Sequence, residues 1–222
     1  PMRMSRLFGK TLRNAPAEAD TANYQLMLRA GLVQQLAAGI FSYLPTGWKV
    51  MRKIEQVIRE EMDRIGGQEV VMPAMQPAEL WEASGRMQTM GDVLMHFQDR
   101  RERHFVLGPT HEEVVVDLFK KQVQSYRDMP LMVYQMQTKF RDEARPRGGL
   151  VRVREFTMKD AYSFDAGWDA LDESYAAARG AYTRILERCG VPAVTVLADS
   201  GAIGGKESEE FIFLTDVGED TI

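Results

Sequence analysis

Residues 133–158 constrain the fold more than any other stretch of the sequence. Two extended runs, over 133–141 and 150–158, flank the Pro/Gly loop ARPRGG at 144–149. A connection this short returns the second strand antiparallel beside the first, because a parallel return needs a crossover of a dozen or more residues. The chain is therefore expected to contain an antiparallel sheet.

Around that hairpin the period alternates between helical and extended without a regular βαβ rhythm, which predicts an α+β fold with helices flanking the sheet. Asp20 or Thr21 can cap a helix over 22–36, with Leu26, Leu28, Leu32, Val33 and Leu36 apolar, and 40–44 reads as a strand. Val50, Ile54, Val57, Ile58, Met62 and Ile65 recur at three- and four-residue steps, predicting an amphipathic helix over 46–65 that Gly66-Gly67 ends. A strand over 69–72 stops at Pro73. Helices are expected over 77–83, 111–125 and 168–189, and strands over 94–98, 104–107, 193–198 and 211–214. Trp48, Trp81 and Trp168 fall on helical patterns and read as packing residues.

The chain has 222 residues, 45% hydrophobic and 27% charged, a globular rather than a disordered composition. Cys189 is the only cysteine. That excludes an internal disulfide framework and a cysteine-built zinc site, and it suits a reducing cytoplasm. No run approaches the ~18 apolar residues of a membrane-spanning helix. Arg3, Arg6, Lys10 and Arg13 precede the first acid, Glu18, yet the segment reads as part of the mature protein rather than a transit peptide.

The net charge of -4 is unevenly spread. Between Lys139 and Arg154 six basic residues (Lys139, Arg141, Arg145, Arg147, Arg152, Arg154) face two acidic ones, Asp142 and Glu143. A compact basic stretch in an otherwise acidic chain suggests an anion held at one place; the alternative is a solvated basic hairpin. Alternation puts Arg141 and Glu143 on one face of the first strand, and Arg152, Arg154 and Phe156 on one face of the second. Such a face offers guanidinium forks for phosphate oxygens, a carboxylate for an exocyclic amine and an aromatic plane for a base. Together they could hold a nucleotide.

Phe140-Arg141-Asp142-Glu143 followed by Arg152 and Phe156 resembles motif 2 of the class II aminoacyl-tRNA synthetases, and the helix from 46 leading to Pro73 resembles their motif 1. Within that class, Gly108-Pro109-Thr110-His111-Glu112-Glu113, Met158-Lys159-Asp160-Ala161-Tyr162-Ser163-Phe164 and Ala198-Asp199-Ser200-Gly201-Ala202-Ile203-Gly204-Gly205 are similar to bacterial-type prolyl-tRNA synthetases. The resemblance covers essentially all 222 residues. It implies one unit over 1–222, the N-terminal part of a class II catalytic domain, with motif 1 at about 46–73 and motif 2 at about 133–159. The family's motif 3, editing insertion and anticodon-binding domain have no counterpart in these residues, so the chain is expected to be a fragment inactive alone. A stand-alone, non-catalytic paralog is the alternative.

What the resemblance implies is ATP-dependent activation of proline and its transfer to tRNA(Pro), in the cytoplasm, by a homodimer joined through motif 1, with Mg2+ on the bent triphosphate. Arg141 would be the catalytic residue, bridging the amino-acid carboxylate and the ATP α-phosphate. Glu143 would read the adenine amino edge, Arg152 the outer phosphates, and Phe156 would stack on adenine. Thr110, Glu112 and Asp199 would join Arg141 around the amino acid. Without the family, Thr110 reads as a helix N-cap and Glu112 and Glu113 as first-turn acids. His111 has no independent claim to a role. The family's Ser-His-Glu-Phe run is Ser208-Glu209-Glu210-Phe211 here, an added carboxylate that would weaken anion binding if it faced the site.

Overall fold

A computed structural model describes residues 3–199, 208–215 and 218. In chain order the elements begin α1 (Ala22–Arg29), β1 (Val33–Ala37), β2 (Ile40–Tyr43), α2 (Pro45–Arg64), β3 (Gln68–Glu69), β4 (Met75–Pro77), α3 (Ala78–Ser84) and α4 (Arg86–Thr89). They continue with β5 (Met95–Gln98), β6 (His104–Leu107), α5 (Glu112–Gln122), β7 (Leu131–Phe140), β8 (Glu155–Phe164), α6 (Trp168–Arg188), β9 (Ala193–Leu197) and β10 (Glu209–Phe213). The fold is α+β, as the sequence implied.

The expected hairpin is β7 and β8, antiparallel from Leu131 opposite Phe164 to Phe140 opposite Glu155. β3 pairs parallel with the other edge of β7. Alternation gives this sheet two different faces. Met132, Tyr134 and Met136, with Ala161 from β8, pack with Met62, Ile58 and Ile65 of the α2 end and Ala181 and Tyr182 of α6. Gln135, Lys139 and Asp160 take the opposite face, and they are buried too. A buried polar face is costly unless every group finds a partner.

α2 bridges the sheet and α6. Its Glu61 is buried against Arg184 (2.7 Å), Arg188 (2.8 Å) and Arg64 (2.9 Å), and the Arg184 hydrogen bond, foremost, holds that carboxyl below the usual range. The apolar stripe of α2 divides along its length. Ile58, Met62 and Ile65 pack on the sheet, whereas Val50 and Ile54 stand exposed.

The first helix is shorter than the sequence suggested. α1 ends near Ala30 because Gly31 takes φ +62°, with its N–H and that of Leu32 bonded to the carbonyls of Leu28 and Met27. Residues 33–37 then become β1 of a hairpin with β2, and Val33 packs against Ala19, Tyr24 and Leu28. A third, antiparallel sheet runs β4-β6-β5 and carries Trp81 of α3, fully buried with Val106, Leu94 and Met90. Trp81 is thus a packing residue as expected, but Trp168 is 72% exposed and Trp48 46%. β9 and β10 form an antiparallel ribbon. Among the described residues no helix is long and apolar enough to cross a membrane.

Candidate active site

The turn after β6 delivers the first half of the site. Gly108 N–H bonds to the Ala74 carbonyl at 2.8 Å, and Gly108 C=O accepts from Phe140 N–H at 3.1 Å, so the 108–112 loop is laced to the end of β7. Thr110 is not the N-cap of α5: that position is His111, whose side chain makes no cap bond. Instead the Thr110 hydroxyl donates to Glu112 Oε1 at 2.7 Å. Glu112 and Glu113 do occupy the first turn of α5, where the helix end favours negative charge. Arg86 Nη1 reaches Glu112 Oε2 at 2.9 Å and Glu113 at 3.0 and 3.1 Å.

β7 delivers Arg141, one residue past its end. Its N–H bonds to the Arg154 carbonyl at 2.9 Å and its guanidinium lies 5.3 Å from the Phe156 ring. Arg141 Nε is buried with no hydrogen-bond partner among the described residues. Burial lowers the guanidinium pKa and the negative charge of Glu112 opposes it, so the two groups share one electrostatic neighbourhood. A carboxylate and a guanidinium so placed complement the two ends of an amino-acid zwitterion.

The rest of the hairpin does not present the single face that alternation predicts. The return strand begins at Glu155, not at 150, so only Phe156 of the three residues assigned to one face is in β8. Arg152 sits in an isolated bridge with Arg147, backbone to backbone at 3.1 Å. Arg154 turns its Nε to the Glu143 carbonyl at 3.0 Å. Glu143 follows a tight turn, its N–H on the Arg141 carbonyl at 2.8 Å, rather than continuing the strand. The loop curls because it is docked elsewhere: Arg154 N–H bonds to the Gly39 carbonyl and Asn23 Nδ2 to the Gly148 carbonyl. Asp142 N–H in turn bonds to Val93. The β1–β2 hairpin and α1 therefore shape the basic loop.

Beneath Thr110 and Glu112 lies a buried network that sequence reasoning passed over. His111 is fully buried; one ring nitrogen, Nε2, faces the Pro73 carbonyl at 3.0 Å and must carry the proton, because a carbonyl only accepts. Nδ1 is then left to accept from the Lys139 ammonium. Lys139 pairs with Asp160 at 2.9 Å, and Asp160 also accepts from Gln135 Nε2 (2.9 Å) and the Tyr162 hydroxyl. The Tyr162 oxygen accepts His111 N–H at 3.2 Å, closing the ring. Burial, then the Lys139 charge, push the His111 pKa down to about 4. Burial also lowers Lys139, against the pull of Asp160, and raises Tyr162. One of the six basic residues of the window is thus neutralised inside the fold.

Alternation could have revealed this network. Gln135, Gln137, Lys139 and Arg141 are polar at every second position, between Tyr134, Met136 and Phe140. Gln135 and Gln137 hold the N–H and carbonyl of Met72, tying the 70–74 segment over the sheet. Asp199 lies just past β9; the glycine-containing run 200–205 is outside the described residues. Glu209, the added carboxylate, pairs with Arg179 of α6 at 3.1 Å, which answers its charge there.

Residues 95–221 match the family described as tRNA synthetase class II core domain (G, H, P, S and T). The chain is 55% identical over 221 residues to a proline–tRNA ligase of Dehalococcoides mccartyi (strain ATCC BAA-2266 / KCTC 15142 / 195), and 55% to that of Halalkalibacterium halodurans. Each alignment covers 100% of this chain and 39% of the relative, so the chain spans about two fifths of the length of these curated relatives. Among solved structures, Giardia lamblia prolyl-tRNA synthetase in complex with prolyl-adenylate superposes with a TM-score of 0.79 at 22% identity, over 86% of this chain and 40% of that one. The RNA binding domain of threonyl-tRNA synthetase from Cryptosporidium parvum gives 0.70 at 24% identity, over 78% and 44%. These two share the fold.

Proposed function

The chain belongs to the class II tRNA synthetase core-domain family, and we propose that it is the N-terminal part of the catalytic domain of a proline–tRNA ligase working in the cytoplasm. The relatives at 55% identity support the choice of amino acid. The observation that carries the reading is that Glu112, held by Thr110, lies within electrostatic reach of Arg141, which follows β7 and stands by the Phe156 ring. In this reading Glu112 and Thr110 receive the protonated secondary amine of proline, and Arg141 takes its carboxylate together with the α-phosphate of ATP. The carboxylate oxygen attacks the α-phosphorus, the bond to the β-phosphate oxygen breaks, and pyrophosphate leaves. No proton moves, because the nucleophile is already an anion. The protein's work is alignment and charge neutralisation.

Glu143 and Phe156 serve adenine in this reading, Arg152 the outer phosphates, and Asp199 completes the amino-acid pocket. The prolyl group then passes to tRNA(Pro). Among the described residues no cluster of three or more His, Cys, Asp or Glu side chains could hold a metal ion. The residues present thus do not build a magnesium cage; Mg2+ is expected to travel with the triphosphate, as hard cations bound mainly by phosphates do.

The test is ATP–pyrophosphate exchange by the complete gene product with each amino acid. Proline-dependent exchange is expected. Arg141→Ala should lower it by about 10²-fold, as loss of a charge-stabilising donor does; a change within twofold would remove Arg141 from the mechanism.

A further inference from the structure

We propose that Arg86 is the positioning residue that sets the ammonium-binding carboxylate. The inference rests on the reading of Glu112 given above. α3 ends at Ser84 and α4 starts at Arg86, and this break turns the Arg86 side chain back onto the start of α5, 26 residues further along the chain. Its Nη1 lies 2.9 Å from Glu112 Oε2 and 3.0 and 3.1 Å from the two oxygens of Glu113. The guanidinium is only 13% exposed: its centre sits 5.2 Å from the Trp81 ring, and Nη2 is 3.1 Å from Met90 Sδ. Both surfaces belong to the buried core that also holds Ala78, Leu94 and Val106.

Charge shows what the clamp leaves over. One guanidinium faces two carboxylates, so the cluster keeps one net negative charge. Glu113 is 4% exposed and takes a further hydrogen bond from Ser84 Oγ at 2.9 Å; Glu112 is 37% exposed. Of the two carboxylates, Glu112 is therefore the one open to an arriving cation, with Arg141 near enough to feel its charge. The two oxygens of Glu112 are fixed separately, Oε1 by the Thr110 hydroxyl and Oε2 by Arg86, so the carboxylate plane cannot rotate. An arriving ammonium meets an acceptor already oriented, and the entropy of orienting it is not lost on binding.

A merely structural arginine would change stability and leave substrate selectivity alone. In exchange assays on the complete gene product, Arg86→Gln should raise the KM for proline about tenfold, with the KM for ATP within twofold. Arg86→Lys, which keeps the charge but not the fork, should recover part of that loss. Inhibition by tetrahydrofuran-2-carboxylate, which has an ether oxygen where proline has its ammonium, should not change in either variant. Equal rises in both KM values, or a proline KM within twofold of wild type in a variant that melts normally, would overturn the role. Should Arg86→Gln not fold, Arg86→Lys carries the test on the same criterion. Glu112→Gln separates the two failures. If it raises the proline KM while Arg86→Gln does not, only the Arg86 role falls; if it leaves the proline KM unchanged, the reading of Glu112 falls and takes the Arg86 role with it.

Discussion

A Cβ added to Gly108 would lie 2.2 Å from Gln76 Nε2, 3.0 Å from its Cδ and 3.1 Å from His111 Cε1. Gln76 cannot step aside. It is fully buried, it accepts from Trp81 Nε1 at 2.8 Å, and it donates to the Thr110 carbonyl at 3.1 Å. Gly108→Ala should therefore cost about 1–3 kcal/mol, read from urea unfolding, because overpacking a filled site forces neighbours off their rotamers. A cost below about 0.5 kcal/mol would mean the loop is not held this way. At this scale the residues taken alone suggested a nucleotide for Arg141 and Phe156, whereas Thr110 read as an N-cap and was tied to Glu112 only through the family resemblance. The sequence was silent on Gln76 and Arg86. Their importance comes from neighbours tens of residues away, and no local pattern encodes those contacts.

Among the elements, β7 and β8 were legible because two extended runs flank a Pro/Gly turn, although the connection between the observed strands runs over 141–154. The start of β8 was not: residues 150–154 have extended character, but docking on the β1–β2 hairpin gives their hydrogen bonds other partners. The end of α1 was missed for a related reason. Leu32, Val33 and Leu36 continue a helical period, yet Gly31 ends the helix and the same residues serve a strand. The network between the 108–112 loop and the β7–β8 sheet also makes an element-level prediction. Folding depresses the His111 pKa from about 6.5 to about 4, so the stability this contributes is fully present above pH 6.5. It is lost progressively as pH falls from 6.5 toward 4, because the unfolded chain binds a proton that the folded one refuses. Urea midpoints measured across that window should fall with pH, and His111→Gln should flatten the slope. An unchanged slope would show that His111 is not buried neutral.

Across the whole molecule, the exposed first half of α2 is the feature that the isolated chain does not account for. Val50 and Ile54 continue the stripe that Ile58 and Met62 bury on the sheet. We propose that a second copy covers this face, and Ile54→Lys should then shift sedimentation of the complete protein from dimer to monomer; a variant that stays dimeric would place the interface elsewhere. The sequence by itself determined the α+β class, the antiparallel hairpin and the amphipathic helix ended by Gly66-Gly67. These follow from alternation, helical period and turn chemistry, which act over a few residues. Only the tertiary structure decided that Lys139 faces inward, that Arg152 leaves the strand, that Glu209 is answered by Arg179, and that Arg86 clamps Glu112. Each of these depends on which groups, distant in sequence, the packing brings together, and no pattern acting over a few residues sets that.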